Sequence, residues 1–180
     1  MNLYAYAGND PISYDDPFGL CPSRVGGDGK TESVDDCSEK EKAAWQAKHI
    51  HNTSSNNTDI AGVDSRLMDA VVRASMAEGE DLGVSAGREG GHSNEGRHAE
   101  GGAIDINEIG GTRLSAMSDA NAAQAGDRLA ADIINRMPVG SLKMAFAPGM
   151  AIRKDRSMNL QQLKNLLSQH RSHVHVTIKP

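Results

Sequence analysis

The chain has 180 residues, with 19 Lys plus Arg against 24 Asp plus Glu and a formal net charge of -5. That length suits one domain, or one domain with a tail, and excludes a large multidomain enzyme; the acidic balance gives no sign of the basic patch a nucleic-acid binder carries. Aromatic residues make up only 3%, and after Tyr4, Tyr6, Tyr14, Phe18 and Trp45 only Phe146 remains, so stacking platforms for bases or sugars are nearly excluded.

Residues 1–20 carry turn signals at Asn9-Asp10-Pro11 and Asp16-Pro17, with a short strand candidate over Leu3 to Ala7. They lack a basic region ahead of an apolar run, so no signal peptide is expected. Residues 21–60 are rich in Gly, Ser, Asp, Asn and Lys and read as a linker with one helix from Ser38 to His49. Cys21 and Cys37 lie there, sixteen positions apart. They can close a disulfide in an oxidising space or stand as two separate thiols; a two-Cys zinc site has no support. His51 to Thr58 has no period and reads as a loop.

Residues 61–180 read as the folded domain. Asp64 is a good N-cap for a helix over Ser65 to Ala77, with Leu67, Val71 and Ala74 on one stripe. Leu82 to Ser85 and Ala103 to Ile106 are strand candidates. Ala120 to Met137 is a strong helix, with Leu129, Ile133 and Met137 recurring every four residues until Pro138 stops it. Leu142 to Ala147 reads as a strand, and Asn159 caps a helix over Leu160 to Gln169. The end alternates strictly: His173, His175 and Thr177 on one face, Val174, Val176 and Ile178 on the other. The order predicts an α+β fold, with helices against a small mixed or antiparallel sheet. No stretch approaches the roughly 20 apolar residues that cross a bilayer, so no membrane insertion is expected.

Four of the seven histidines fall in two clusters, one holding His98 and Asp105, the other His170, His173 and His175. The Gly101-Gly102 pair lets the chain fold back and bring His98 toward Asp105. A terminal strand with His175 completes a His/Asp/His set, good ligands for Zn2+ that leave a fourth position for water. His173 shares a face with His175 and is the best general base. Arg88, close to the first cluster, can polarise a carbonyl or bind a carboxylate. Standing alone, each of these features is an ordinary surface group. His49 and His51 read as helix-end and linker residues, and His92 as a solvent-exposed loop residue.

The pattern His98-x-x-Gly101-x-Ala103-x-Asp105, followed by His173-x-His175, resembles the zinc peptidases of the D-alanyl-D-alanine carboxypeptidase and murein endopeptidase group. Their motif is SxHxxGxAxD with a later HxH; here Gly96 replaces its Ser. The resemblance spans roughly residues 61–180. It implies that family's α+β fold, with Zn2+ held by His98, Asp105 and His175. It implies His173 as the catalytic histidine and His170 as a neighbour of the active site. Ser85-Ala-Gly-Arg88 is similar to the family's Ser-Gly-x-Arg segment, with the glycine displaced by one, and implies Arg88 as the substrate-binding arginine.

The first twenty residues, through Leu3-Tyr-Ala-Tyr-Ala-Gly-Asn-Asp-Pro11 and Asp16-Pro-Phe-Gly-Leu20, resemble the end of the core of Rhs/YD-repeat proteins. There a variable toxin follows the DPxGL motif, which marks an autocleavage point. That resemblance implies residues 1–20 as a shell remnant and residues 21–180 as the released effector, whose residues 61–180 form the peptidase domain. It further implies an Rhs shell before release and a cognate immunity protein. Production in the cytoplasm, then delivery by a type VI secretion machine to the periplasm of target bacteria, would follow. Together the two resemblances imply a peptidase toxin acting on peptidoglycan stem peptides, as endopeptidase or D,D-carboxypeptidase. Two other readings stay open at this stage: a metal-dependent nuclease toxin, and a non-enzymatic metal-binding fragment of the shell.

Overall fold

The computed structural model describes residue 34 and residues 37–54, 58–88, 97–154 and 157–180. The strand expected over Leu3 to Ala7, Cys21 and His92 lie outside the described residues. The described residues form four α-helices and one sheet: α1 (Glu39–His49), α2 (Ser65–Glu78), α3 (Asp119–Arg136) and α4 (Leu160–Gln169) are the helices. The strands are β1 (Ile50–Asn52), β2 (Leu82–Ala86), β3 (Ala103–Ile109), β4 (Thr112–Arg113), β5 (Leu142–Phe146), β6 (Ala151–Arg153) and β7 (Val174–Ile178). They lie in the order β1-β2-β3-β7-β5-β6, with β4 pairing β3. Only β1–β2 is parallel; the other pairs are antiparallel. The fold is therefore α+β with a mixed sheet.

The helices start where their caps predict. Ser38 caps α1 in a capping box with Glu41, and the Asp64 carboxylate accepts from Arg66 N–H at the start of α2. Ser118 caps α3, and Asn159 forms a capping box with Gln162 on α4. No helix among the described residues is long and apolar enough to cross a membrane.

One face of the sheet builds the core. Ile104 and Ile106 of β3 and Val174, Val176 and Ile178 of β7 join Leu67 and Val71 of α2 and Leu129 and Ile133 of α3. Gly126 allows α3 to lie close: an added Cβ would fall 2.6 Å from Pro148 Cδ and 3.4 Å from Val174 Cγ2. The strand period of two then puts Asp105, His175 and Thr177 on the opposite face.

Several features differ from the sequence expectation, among them the short strands β4 and β6. The loop expected over His51 to Thr58 begins with part of β1, an edge strand paired to β2. The segment read as linker reaches the same core: Trp45 and Ile50 are buried, and Trp45 Nε1–H donates to Ser75 Oγ at 2.8 Å. His49 does end a helix but is buried, stacked on Trp45 at 3.9 Å between ring centroids and paired to Asp81 at 2.6 Å. His51 is exposed and pairs Glu108. Cys37 is buried and disulfide-bonded.

Candidate metal centre

Strand register assembles the site. Asp105 of β3 lies directly opposite His175 of β7, and His175 lies opposite Phe146 of β5. Directly opposed residues bring their side chains within contact distance. His175 Nδ1 accordingly sits 2.6 Å from Asp105 Oδ1.

His98 reaches the same place from a short 3-10 turn, His98–Glu100. The turn closes at Gly101, whose φ of 73° is the left-handed region that favours glycine. A Cβ there would also collide with the Gly62 carbonyl oxygen. The Gly101 carbonyl accepts from Asp64 N–H at 2.8 Å, which ties the turn to the start of α2. His98 Nε2 thereby lies 3.4 Å from Asp105 Oδ2. Ligand atoms of His98, Asp105 and His175 all fall within 4.8 Å of one another, so the cluster can hold a metal ion.

Chemistry and hydrogen bonding fit a borderline divalent ion. Two imidazoles and a carboxylate are zinc ligands that leave one position open. Metal-bound histidines usually donate their other ring N–H to a fixed acceptor. His98 Nδ1–H can donate only outward, to the Gly87 carbonyl at 2.9 Å, which leaves Nε2 facing Asp105. Thr177 Oγ1 lies 2.7 Å from His175 Nε2, on the far side of the ring from Asp105. Burial pushes the Asp105 carboxyl up, but hydrogen bonds from His175 and His98 outweigh it and hold the pKa well below the usual carboxylate range. The carboxylate is therefore an anion ready to ligate.

The two remaining histidines line the approach. His173 Nε2 is 4.0 Å from Asp105 Oδ1. Burial lowers the His173 pKa, and the nearby Asp105 charge opposes this. His170 closes α4, and its Nδ1–H donates to Leu166 O at 2.7 Å. Its ring packs on Phe146 and on His173, each at 4.7 Å between centroids. Burial pushes its pKa down to about 4. Burial thus favours the neutral form of both rings.

Arg88 does not join this group. Its side chain is exposed, and its backbone N–H donates to Asp59 O at 3.0 Å in an isolated bridge. It follows directly on Gly87, whose carbonyl orients His98. Among the described residues, no hydrogen bond or ion pair links Arg88 to His98, Asp105 or His175. Sequence spacing assigns no role to Thr177, Phe146 or the Gly87 carbonyl. For Thr177 a signal exists: it lies two residues from His175 on the same strand face. No family model matches the chain, and no curated protein matches it in sequence.

Proposed function

We propose that the chain is a zinc peptidase that hydrolyses peptide bonds in the stem peptides of bacterial peptidoglycan. The observation that carries this reading is the buried convergence of His98, Asp105 and His175, with the His173 ring beside it. A metal centre flanked by a proton acceptor suits hydrolysis better than structural metal binding, whose sites are closed by four protein ligands.

The ion would be held by His98 Nε2, an Asp105 oxygen and His175 Nδ1. When bound there, zinc supplies Lewis acidity and lowers the pKa of water toward ~7. His173 takes the proton from the attacking water and returns it to the leaving amine. His170, with Nδ1 committed to Leu166 O, packs on the His173 ring and keeps it in place. Arg88, one residue beyond the carbonyl that orients His98, would hold a substrate carbonyl or carboxylate. The scarcity of aromatic residues favours a short peptide over a glycan strand as substrate. The DPxGL-like segment at 16–20 supports the biological setting: a toxin domain that follows an Rhs core, reaches the periplasm of a competitor through type VI secretion and is held in check by an immunity protein.

The test is digestion of purified peptidoglycan by the wild type and by His175→Ala, with mass analysis of the products. Peptide-bond cleavage is expected from the wild type alone. Unchanged muropeptides in both digests would sink the reading.

A further inference from the structure

A cavity of about 240 Å³ opens between the start of α3, the end of α4 and the turn after β5. Its lining is Asp119, Ala122, Pro148, Leu167, Ser168 and Arg171. Ala122, Pro148 and Leu167 give it apolar walls. Arg171 and Asp119 give it opposite charges, paired at 2.6 Å from Nη2 to Oδ1. Arg171 adjoins His170 and stands two residues before His173. Pro148 comes two residues after Phe146, whose ring packs on His170. The cavity and the proposed general base therefore share the turn that leads from α4 into β7.

Size and charge define what fits. Drug-sized sites begin near roughly 300 Å³, so this one takes a single side chain rather than a sugar with its neighbours. Both charged side chains are exposed, and an exposed ion pair contributes little to stability. The pair therefore opens at small cost when a ligand offers each charge a partner. A guanidinium holds a carboxylate through two parallel N–H donors. The positive end of the α3 dipole adds to that preference for an anion. Asp119 is left to accept from an ammonium, and the apolar walls suit a carbon stem. A linear side chain that ends in an α-amino acid meets all three demands.

We propose that this cavity is a specificity subsite for a substrate residue whose side chain ends in an ammonium and a carboxylate on one carbon, Arg171 holding the carboxylate and Asp119 the ammonium. This rests on the reading of the metal centre as a peptidase of peptidoglycan stems. Diaminopimelate is a wall residue of that chemistry. A residue held at Arg171 lies close to the bond presented to His173, so the subsite acts on which peptide is cut and leaves the metal centre alone.

The test uses the full chain with zinc and two muropeptides that differ in one group. One carries diaminopimelate with its side-chain carboxylate free, the other the same residue with that carboxylate amidated. Wild type is expected to favour the free form about 10- to 100-fold in kcat/KM, the usual worth of a hydrogen bond to a charged group. Arg171→Gln is expected to bring the two within about threefold of each other. Asp119→Asn is expected to raise KM for both and keep the preference, since both retain the ammonium. Equal cleavage of the two by wild type would overturn the subsite even if a variant failed to fold, and so would a preference that survives Arg171→Gln. Asp119→Asn with the KM of wild type would overturn the match to an ammonium. Wild type that cleaves neither muropeptide and leaves whole peptidoglycan unchanged would instead overturn the peptidase reading on which the subsite rests.

Discussion

At the scale of single residues, the nitrogens of an imidazole stop being equivalent once one of them is engaged. His98 is committed through Nδ1 to the Gly87 carbonyl and His170 through Nδ1 to the Leu166 carbonyl. His175 is pinned between Asp105 and Thr177. His173, at 4.0 Å from Asp105, approaches the carboxylate without a direct hydrogen bond. A ring so placed is suited to moving protons, whereas the pinned rings are suited to holding an ion. His173→Ala should therefore keep zinc affinity within about threefold while lowering peptide hydrolysis by about 100- to 10,000-fold. Parallel zinc titration and turnover measurements check this, and a loss of zinc binding equal to the loss of activity would make His173 a ligand. The alternation of His173, His175 and Thr177 is legible from residue order alone, because a period of two shows within six residues. The contact of Thr177 with His175 is not, because threonine is an ordinary strand residue until its hydroxyl meets a specific atom. The burial of His49 escapes the sequence for a related reason: it depends on Trp45 and Asp81, which sequence spacing does not bring together.

Among the elements, legibility depends on length and capping. The four helices carry polar caps, α2, α3 and α4 add apolar stripes, and the observed ends fall within one residue of those expected. The strands β1, β4 and β6 have two or three residues, too few to show alternation, and their pairing comes from neighbours distant in sequence. The alternation of β7 suggests one solvated face; instead all five of its residues, Val174–Ile178, are buried. The α2–α3 contact illustrates a cost the sequence hides. Glu78 ends α2, where a carboxylate opposes the helix dipole. Its side chain is only 10% exposed and pairs with Arg128 of α3, which is 58% exposed. Burial pushes the Glu78 pKa up, against the pull of Arg128. The folded chain therefore binds this proton more tightly than the unfolded chain does. Stability falls as pH rises from the ordinary value of 4.5 through the raised folded value. Glu78→Gln should melt higher than wild type near about pH 7, and the two should converge near about pH 3.5, where Glu78 is protonated in both states. The lost ion pair subtracts little, since an exposed partner is screened. Thermal melts at the two pH values decide it: an equal difference at both would remove titration as the cause.

Across the whole molecule, the three proposed ligands come from three places that the chain visits separately. His98 belongs to a turn tied to α2 through Gly101, Asp105 to β3, and His175 to β7, some seventy residues later. An ion held by all three would bridge the turn and the centre of the sheet, and the unfolded chain cannot present that set at once. Binding of this kind stabilises the native state by mass action. With free zinc at about 100 times its dissociation constant the gain is ~2.7 kcal/mol. For a chain of this size that corresponds to a rise in melting temperature on the order of 5–10 °C. A chelator should remove the rise. Asp105→Asn should abolish it, because the anionic ligand is gone, and His173→Ala should retain it in full. Calorimetric scans of the three proteins, with zinc and with chelator, separate ligation from catalysis without any substrate. A rise that survives Asp105→Asn would place the zinc elsewhere on the chain.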